Sequence, residues 1–158
     1  MSKLPTILTL ALILAAPIKT IADEEGHGEG EHHSPFEGMA LITLMHNMQY
    51  YGHKLGLAID AGNSELQDLY AHEVEEVLEA LSEIEEYDDI QIPPLLEKTL
   101  KPAFESLEGA IEEGDADKID TAYDGLLEGC NACHKGAKKP YIVVERNRDN
   151  PYPQRFAP

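Results

Sequence analysis

The chain of 158 residues holds two cysteines, and both fall in the run Gly129-Cys130-Asn131-Ala132-Cys133-His134-Lys135. Thiols three residues apart share one face of a helix, and Cys-x-x-Cys-His is the attachment signature of a c-type haem. Each thiol can form a thioether with a haem vinyl group, and His134 then stands beside the ring with an imidazole nitrogen for the iron. The competing chemistries fit less well. A thioredoxin-like redox pair opens a helix after a strand, and no strand pattern precedes Cys130. A structural zinc site takes four ligands, so two thiolates and one histidine would need a remote fourth. A local disulfide accounts for the thiols and leaves His134 a coincidence.

The amino terminus bears on this choice. Lys3, an apolar run from Leu4 to Ile18 and the small residues Thr20, Ile21 and Ala22 before an acidic segment read as a secretory signal peptide, residues 1–22, cut after about Ala22. The apolar run is too short for a membrane anchor, and nothing later in the chain is apolar enough to span. A periplasmic destination follows, where a neighbouring cysteine pair is oxidised or captured by a cofactor. Residues 23–33, Asp-Glu-Glu-Gly-His-Gly-Glu-Gly-Glu-His-His, have no apolar position and read as a disordered leader. Its His27, His32 and His33 offer loose transition-metal binding, or none if the leader is only a solvated tail.

The formal net charge is −18 and becomes −20 once Lys3 and Lys19 leave with the signal peptide, because that segment holds no acid. Such a chain does not bind nucleic acid or an anionic membrane by charge. Its surface serves solubility or, alternatively, steers the protein toward a basic partner. The length left after cleavage suits one domain with a single core.

Residues 34–139 read as four amphipathic helices that position the cysteines. Ser34-Pro35-Phe36-Glu37 is a capping pattern for helix A, which continues through Leu41, Met45, Met48, Tyr51 and Leu55 until Gly62 stops it. Asn63 or Ser64 caps helix B, whose apolar positions Leu66, Tyr70, Val74, Val77, Leu81 and Ile84 form a seam with Glu75, Glu76, Glu79 and Glu83 on the wet side. Tyr87 to Ile92 is the longest connection, closed by Pro93-Pro94. Helix C carries Leu96, Leu100, Ala103 or Phe104, Leu107 and Ile111, with a possible kink at Pro102. Gly114-Asp115 ends it and caps helix D, which carries Ile119, Tyr123, Leu126, Cys130 and Cys133. The simplest packing is all-α, an antiparallel four-helix bundle with covalent haem on the fourth helix. Residues 140–158, rich in proline and β-branched side chains, form an extended C-terminal tail, with Tyr141 to Val144 expected to lie against the bundle.

A signal peptide, four helices and Cys130-Asn131-Ala132-Cys133-His134 on the last of them resemble the class II c-type cytochromes, the cytochrome c prime group, over roughly residues 34–139. The resemblance implies one covalent haem on Cys130 and Cys133, His134 as the proximal axial iron ligand, and a basic residue four positions beyond it, here Lys138. His53-Lys54-Leu55 and Tyr141-Ile142-Val143-Val144 are also similar to less characterised bacterial cytochrome-like proteins, which implies no settled function.

Members of the cytochrome c prime group differ in what helix A sets opposite the proximal histidine. An apolar residue leaves the iron open to small gases, and a methionine closes it and favours electron transfer. Helix A offers Met39, Met45, Met48, His46 and His53. Its middle falls at residues 46–48, which makes Met48 the leading candidate for the distal axial ligand, with core packing as its alternative role. His46 and His53 share a face and reach the iron only if the helix is rotated. His72 on helix B, beside Glu73, reads as solvated. Leu44 stands where the group's pattern places an arginine.

Three functions fit. The first is a periplasmic electron-transfer cytochrome with a redox partner protein, a basic one where the acidic surface guides docking. The second is a five-coordinate binder or sensor of NO or CO, with Met48, Met45 and Leu41 as an apolar lid. The third is a metal-handling or stress protein with structural haem and a metal-binding leader. No Ser, His and Asp arrangement, phosphate loop or paired-carboxylate motif indicates an enzyme. Tyr50, Tyr51 and Tyr70 either serve a homodimer or pack inside.

Overall fold

The computed structural model describes residues 34–158. The signal peptide, its cleavage at Ala22 and the leader histidines His27, His32 and His33 lie outside the described residues.

Ser34 does not cap the first helix. Glu37 N–H donates to the Ser34 carbonyl at 3.2 Å, Phe36 N–H points at the Ser34 hydroxyl at 3.4 Å, and Gly38 turns the chain at φ +72°. Helix α1 therefore starts at Leu41 and spans Leu41–Asp60. Tertiary burial outweighs the capping pattern: Phe36 is 6% exposed and meets Tyr51 edge-on with ring centroids 6.1 Å apart. The other end follows the sequence. Gly62 adopts φ +64°, and Asn63 caps α2, Ser64–Ser82, by accepting from Leu66 N–H at 3.2 Å.

Along α2, Tyr70, Val74, Val77 and Leu81 are buried as the seam requires. Glu76 departs from its expected place on the wet side and is 6% exposed. It directly precedes Val77, at the seam's flank, and its carboxylate lies 3.9 Å from His72 Nε2. His72 itself is exposed and also approaches Glu75 at 3.6 Å.

The connection after α2 is more ordered than a loop. Strands β1 (Glu86–Tyr87) and β2 (Ile90–Gln91) pair antiparallel, Glu86 with Gln91 and Tyr87 with Ile90. Asp88 and Asp89 both take positive φ, 54° and 61°, as a two-residue turn matched to strand twist requires. A small hairpin thus interrupts the otherwise helical stretch from Leu41 to Gly136.

The third helical stretch is two helices, α3 (Ile92–Lys98) and α4 (Leu100–Glu113), separated at Thr99 with φ −125° and ψ −68°. Pro102 is the cause. Its ring has no N–H for the Lys98 carbonyl and collides with it, so the break falls ahead of the proline, which then sits in the first turn of α4. Gly114 ends α4 at φ +70°, and Asp115 caps α5, Ala116–Gly136, by accepting from Asp117 and Lys118 N–H at 3.1 and 3.2 Å.

The core is one cluster drawn from all four long helical stretches, including Leu44, Leu55, Val77, Leu81, Leu96, Phe104, Leu107, Tyr123 and Leu126. α1 packs chiefly on α2 and α4 on α5, and contacts of α2 with α4 and α1 with α5 join the two pairs.

The tail beyond α5 is extended, but Tyr141, Ile142 and Val143 do not bury their side chains, being 75%, 44% and 64% exposed. Other residues hold it. Arg146 reaches Asp60, Asp120 and Asp124 at 2.6, 2.6 and 2.9 Å. Gln154 accepts from Lys54 and from the Tyr70 hydroxyl at 3.0 and 2.8 Å, and Phe156 is 6% exposed against the Tyr70 ring.

Candidate functional site

The last turns of α5 are pressed onto the α3–α4 break because two residues there lack a side chain. A Cβ on Gly129 would stand 2.9 Å from Ala103 Cβ and 3.2 Å from the Thr99 carbonyl, and one on Gly136 would overlap Leu95. This contact sets the height of the Cys130–His134 segment along the core.

Both cysteines are free thiols, partly buried and packed against the core. Burial, with Cys133 nearby, pushes the Cys130 thiol up to about 12, and burial raises that of Cys133 against an opposing hydrogen bond with Thr99. Neutral thiols in apolar surroundings are poor nucleophiles and poor zinc ligands. A thioether carries no charge, so the same burial does not oppose it. Among the described residues no group of three or more His, Cys, Asp or Glu side chains is placed to hold a metal ion by itself.

His134 Nδ1 lies 3.2 Å from the carbonyl of Ile142. A carbonyl only accepts, so Nδ1 carries the hydrogen and the lone pair of the neutral ring resides on Nε2, the nitrogen a metal would take. Asn131, inside the motif, accepts from Val144 N–H at 2.7 Å and donates to Val144 C=O at 2.9 Å. Lys138 takes φ +60° just past the helix, and Lys139 reaches across to Asp88 at 2.6 Å.

The candidates on α1, and Met39 just before it, divide by exposure. Met48 and Leu44 are buried, 8% and 1% exposed, while Met39, Leu41 and Met45 are partly buried against the same core as Cys130 and Cys133. His46 is exposed. His53 is occupied under the tail: its Nδ1 is 3.0 Å from the Tyr152 hydroxyl, and its buried Nε2 has no hydrogen-bond partner among the described residues. The Tyr152 ring lies against His53, the Lys54 ammonium sits over the Tyr50, Tyr70 and Tyr152 rings, Phe156 packs on Tyr70, and Tyr51 packs on Phe36.

The register of α1 against α5 comes from two pairings. One guanidinium nitrogen of Arg146 contacts both Asp60 and Asp120, and the Tyr123 hydroxyl donates to the Gly52 carbonyl at 2.9 Å. Position falls along α1 as it rises along α5, so the two run antiparallel. Met48 lies one turn, about 6 Å, before Gly52, and so nearer the Cys130 end of α5 than Gly52 does.

Sequence reasoning finds the motif and its helix but misses the partners of the tail: Asn131 with Val144, His134 with the Ile142 carbonyl, and Arg146 with its three aspartates. These pairings join distant positions with no periodic signal. No protein-family model matches the chain, and neither a curated protein nor a solved structure matches it.

Proposed function

We propose that the chain is an exported, periplasmic c-type cytochrome that carries one haem covalently and transfers electrons. Cys130 and Cys133 would hold the group through thioethers and His134 would present Nε2 to the iron. The observation that carries this proposal is the joint state of these residues: two unpaired thiols one turn apart on α5, followed by a histidine whose other nitrogen is already engaged by the Ile142 carbonyl. When bound, the haem supplies a one-electron ferric–ferrous couple.

The residues around the motif have separable tasks. α1, α2, the α3–α4 pair and α5 would form the four arms of an antiparallel bundle. The short links at Ala61–Asn63 and Gly114–Asp115 and the antiparallel register of α1 and α5 support this arrangement. Met48 is the candidate sixth ligand, favoured by its burial and by the antiparallel run of α1 on α5, which carries Met48 from Gly52 toward the Cys130 end. The acidic surface would steer the protein to a basic redox partner. A second function rests on the burial of Met48 and Leu44 in one core cluster: a merely apolar lid of this kind would leave the iron open to NO or CO.

Absorption and EPR spectra of the purified protein in both oxidation states, with CO added to the reduced form, separate these. Haem that stays on the denatured chain, in a low-spin protein indifferent to CO, is expected. High-spin iron that takes up CO readily selects the gas-binding function instead, and a chain from haem-competent cells without covalent haem sinks both.

A further inference from the structure

We propose that Asn131 is a positioning residue, which clamps the C-terminal tail at Val144 and so holds the Ile142 carbonyl against Nδ1 of His134. The inference rests on His134 being an iron ligand and concerns what sets the electron richness of that ligand.

Two periodicities meet here. Asn131 and His134 are three apart on α5, so they share a face and are separated by about 4.5 Å along the helix axis. Ile142 and Val144 are two apart on an extended chain, so their carbonyls point the same way and are separated by about 7 Å. The tail runs back along α5, and Asn131 pairs with both the N–H and the C=O of Val144, at 2.7 and 2.9 Å, as a neighbouring strand would. With the chain fixed at Val144, the next carbonyl facing α5 is that of Ile142, and it lies 3.2 Å from His134 Nδ1.

This accounts for an apolar run whose side chains stay in water. Tyr141, Ile142 and Val143 are 75%, 44% and 64% exposed, and the segment is held by its backbone. A carbonyl accepting from Nδ1–H fixes the ring tautomer and orientation and makes Nε2 a stronger donor. A stronger donor favours the ferric state, so loss of the clamp raises the reduction potential.

Asn131→Ala removes both bonds to Val144. Val144→Pro removes the N–H that Asn131 accepts, leaves the Cys130–His134 segment untouched, and suits an extended backbone. Each variant is compared with the parent by haemochrome spectrum of the denatured chain, backbone amide exchange over residues 142–146, and reduction potential. Retained covalent haem, faster exchange in the tail and a rise of about 59 mV, which is a tenfold change in the oxidised-to-reduced ratio, are expected. Faster exchange with an unmoved potential, or a potential that moves with no change in exchange, overturns the positioning role while leaving haem attachment intact. A parent chain with no covalent haem refutes the cytochrome itself, and with it this role. Should Asn131→Ala not fold or not take haem, Val144→Pro decides by the same measurements.

Discussion

The Tyr123 hydroxyl donates to the carbonyl of Gly52 across the α1–α5 contact, 2.9 Å away, and the same ring lies against Gly56 one turn further along. Any β-carbon at position 56 would overlap the hydroxyl end of a side chain that is itself 3% exposed and cannot swing aside. Exchanging glycine for alanine inside a helix ordinarily adds about 1 kcal/mol of stability. Overpacking a closed contact costs about 1–3 kcal/mol. The second effect wins, so Gly56→Ala is expected to lower stability in urea unfolding by about 1 kcal/mol net. A variant more stable than the parent would show that α1 and α5 are further apart than described.

Arg146 ties the tail to both helices of that contact. Its guanidinium is 12% exposed, pairs with Asp60, Asp120 and Asp124, and stacks over the Tyr123 ring at 5.1 Å. Those three carboxylates hold its pKa above the usual arginine range, although burial acts in the opposite direction. Arg146→Met keeps the stem that packs on Tyr123 but takes the cation from Asp120 and Asp124, while Arg148 stays on Asp60 at 2.6 Å. A loss of about 2 kcal/mol is expected, with faster proteolysis of the tail. Part of the loss should return in molar salt, which screens the residual repulsion. A change no larger than that of a solvated ion pair would reduce Arg146 to decoration.

Glu108 sets a pH dependence of the opposite sense to most acids. Burial, then Glu75, Glu112 and Glu105, raise its pKa above the ordinary glutamate value of 4.5. The folded chain therefore holds this proton more tightly than the unfolded one, so stability falls as pH rises from about 4.5 through the raised folded value. Glu108→Gln is expected to stabilise the protein at pH 7 by about 0.5 kcal/mol, small because water screens the group. It should also flatten the pH–stability curve just above 4.5, as read by urea melts at pH 4, 5.5 and 7. An unchanged slope would mean that the four glutamates do not interact.

These features were unevenly legible in the sequence for physical reasons. Gly62-Asn63 and Gly114-Asp115 mark helix ends through their own backbone geometry, which needs no distant partner. Pro102 signals a break, but its effect is exerted on the preceding turn, so the break falls at Thr99. Ser34 carries a local capping pattern that Phe36 overrides by burying itself on Tyr51. Glu76 follows the helical period to within one position, and that position is the edge between wet and dry. Asn131 and Arg146 are ordinary polar residues until the chain brings Val144 and Asp60 to them.

Met48 provides the remaining prediction, because structure and coordination make separable demands on it. It is 8% exposed in the same core as Leu44, so Met48→Leu, which nearly conserves volume, is expected to cost under about 1.5 kcal/mol and leave the proposed haem attachment unaffected. Leucine cannot ligate. If the thioether closes the iron, the variant becomes high spin, binds CO when reduced, and loses the preference for ferrous iron that methionine confers, so its potential drops. Met45→Leu serves as the control: it lies nearly one turn earlier, partly buried against the same core, and should leave the spectrum unchanged. Were Met45→Leu to change the spin state and Met48→Leu not, the ligand would be Met45 and α1 would be rotated by about 60°. Were neither to change it, the methionines would be packing alone, and the protein would be assigned to binding gases.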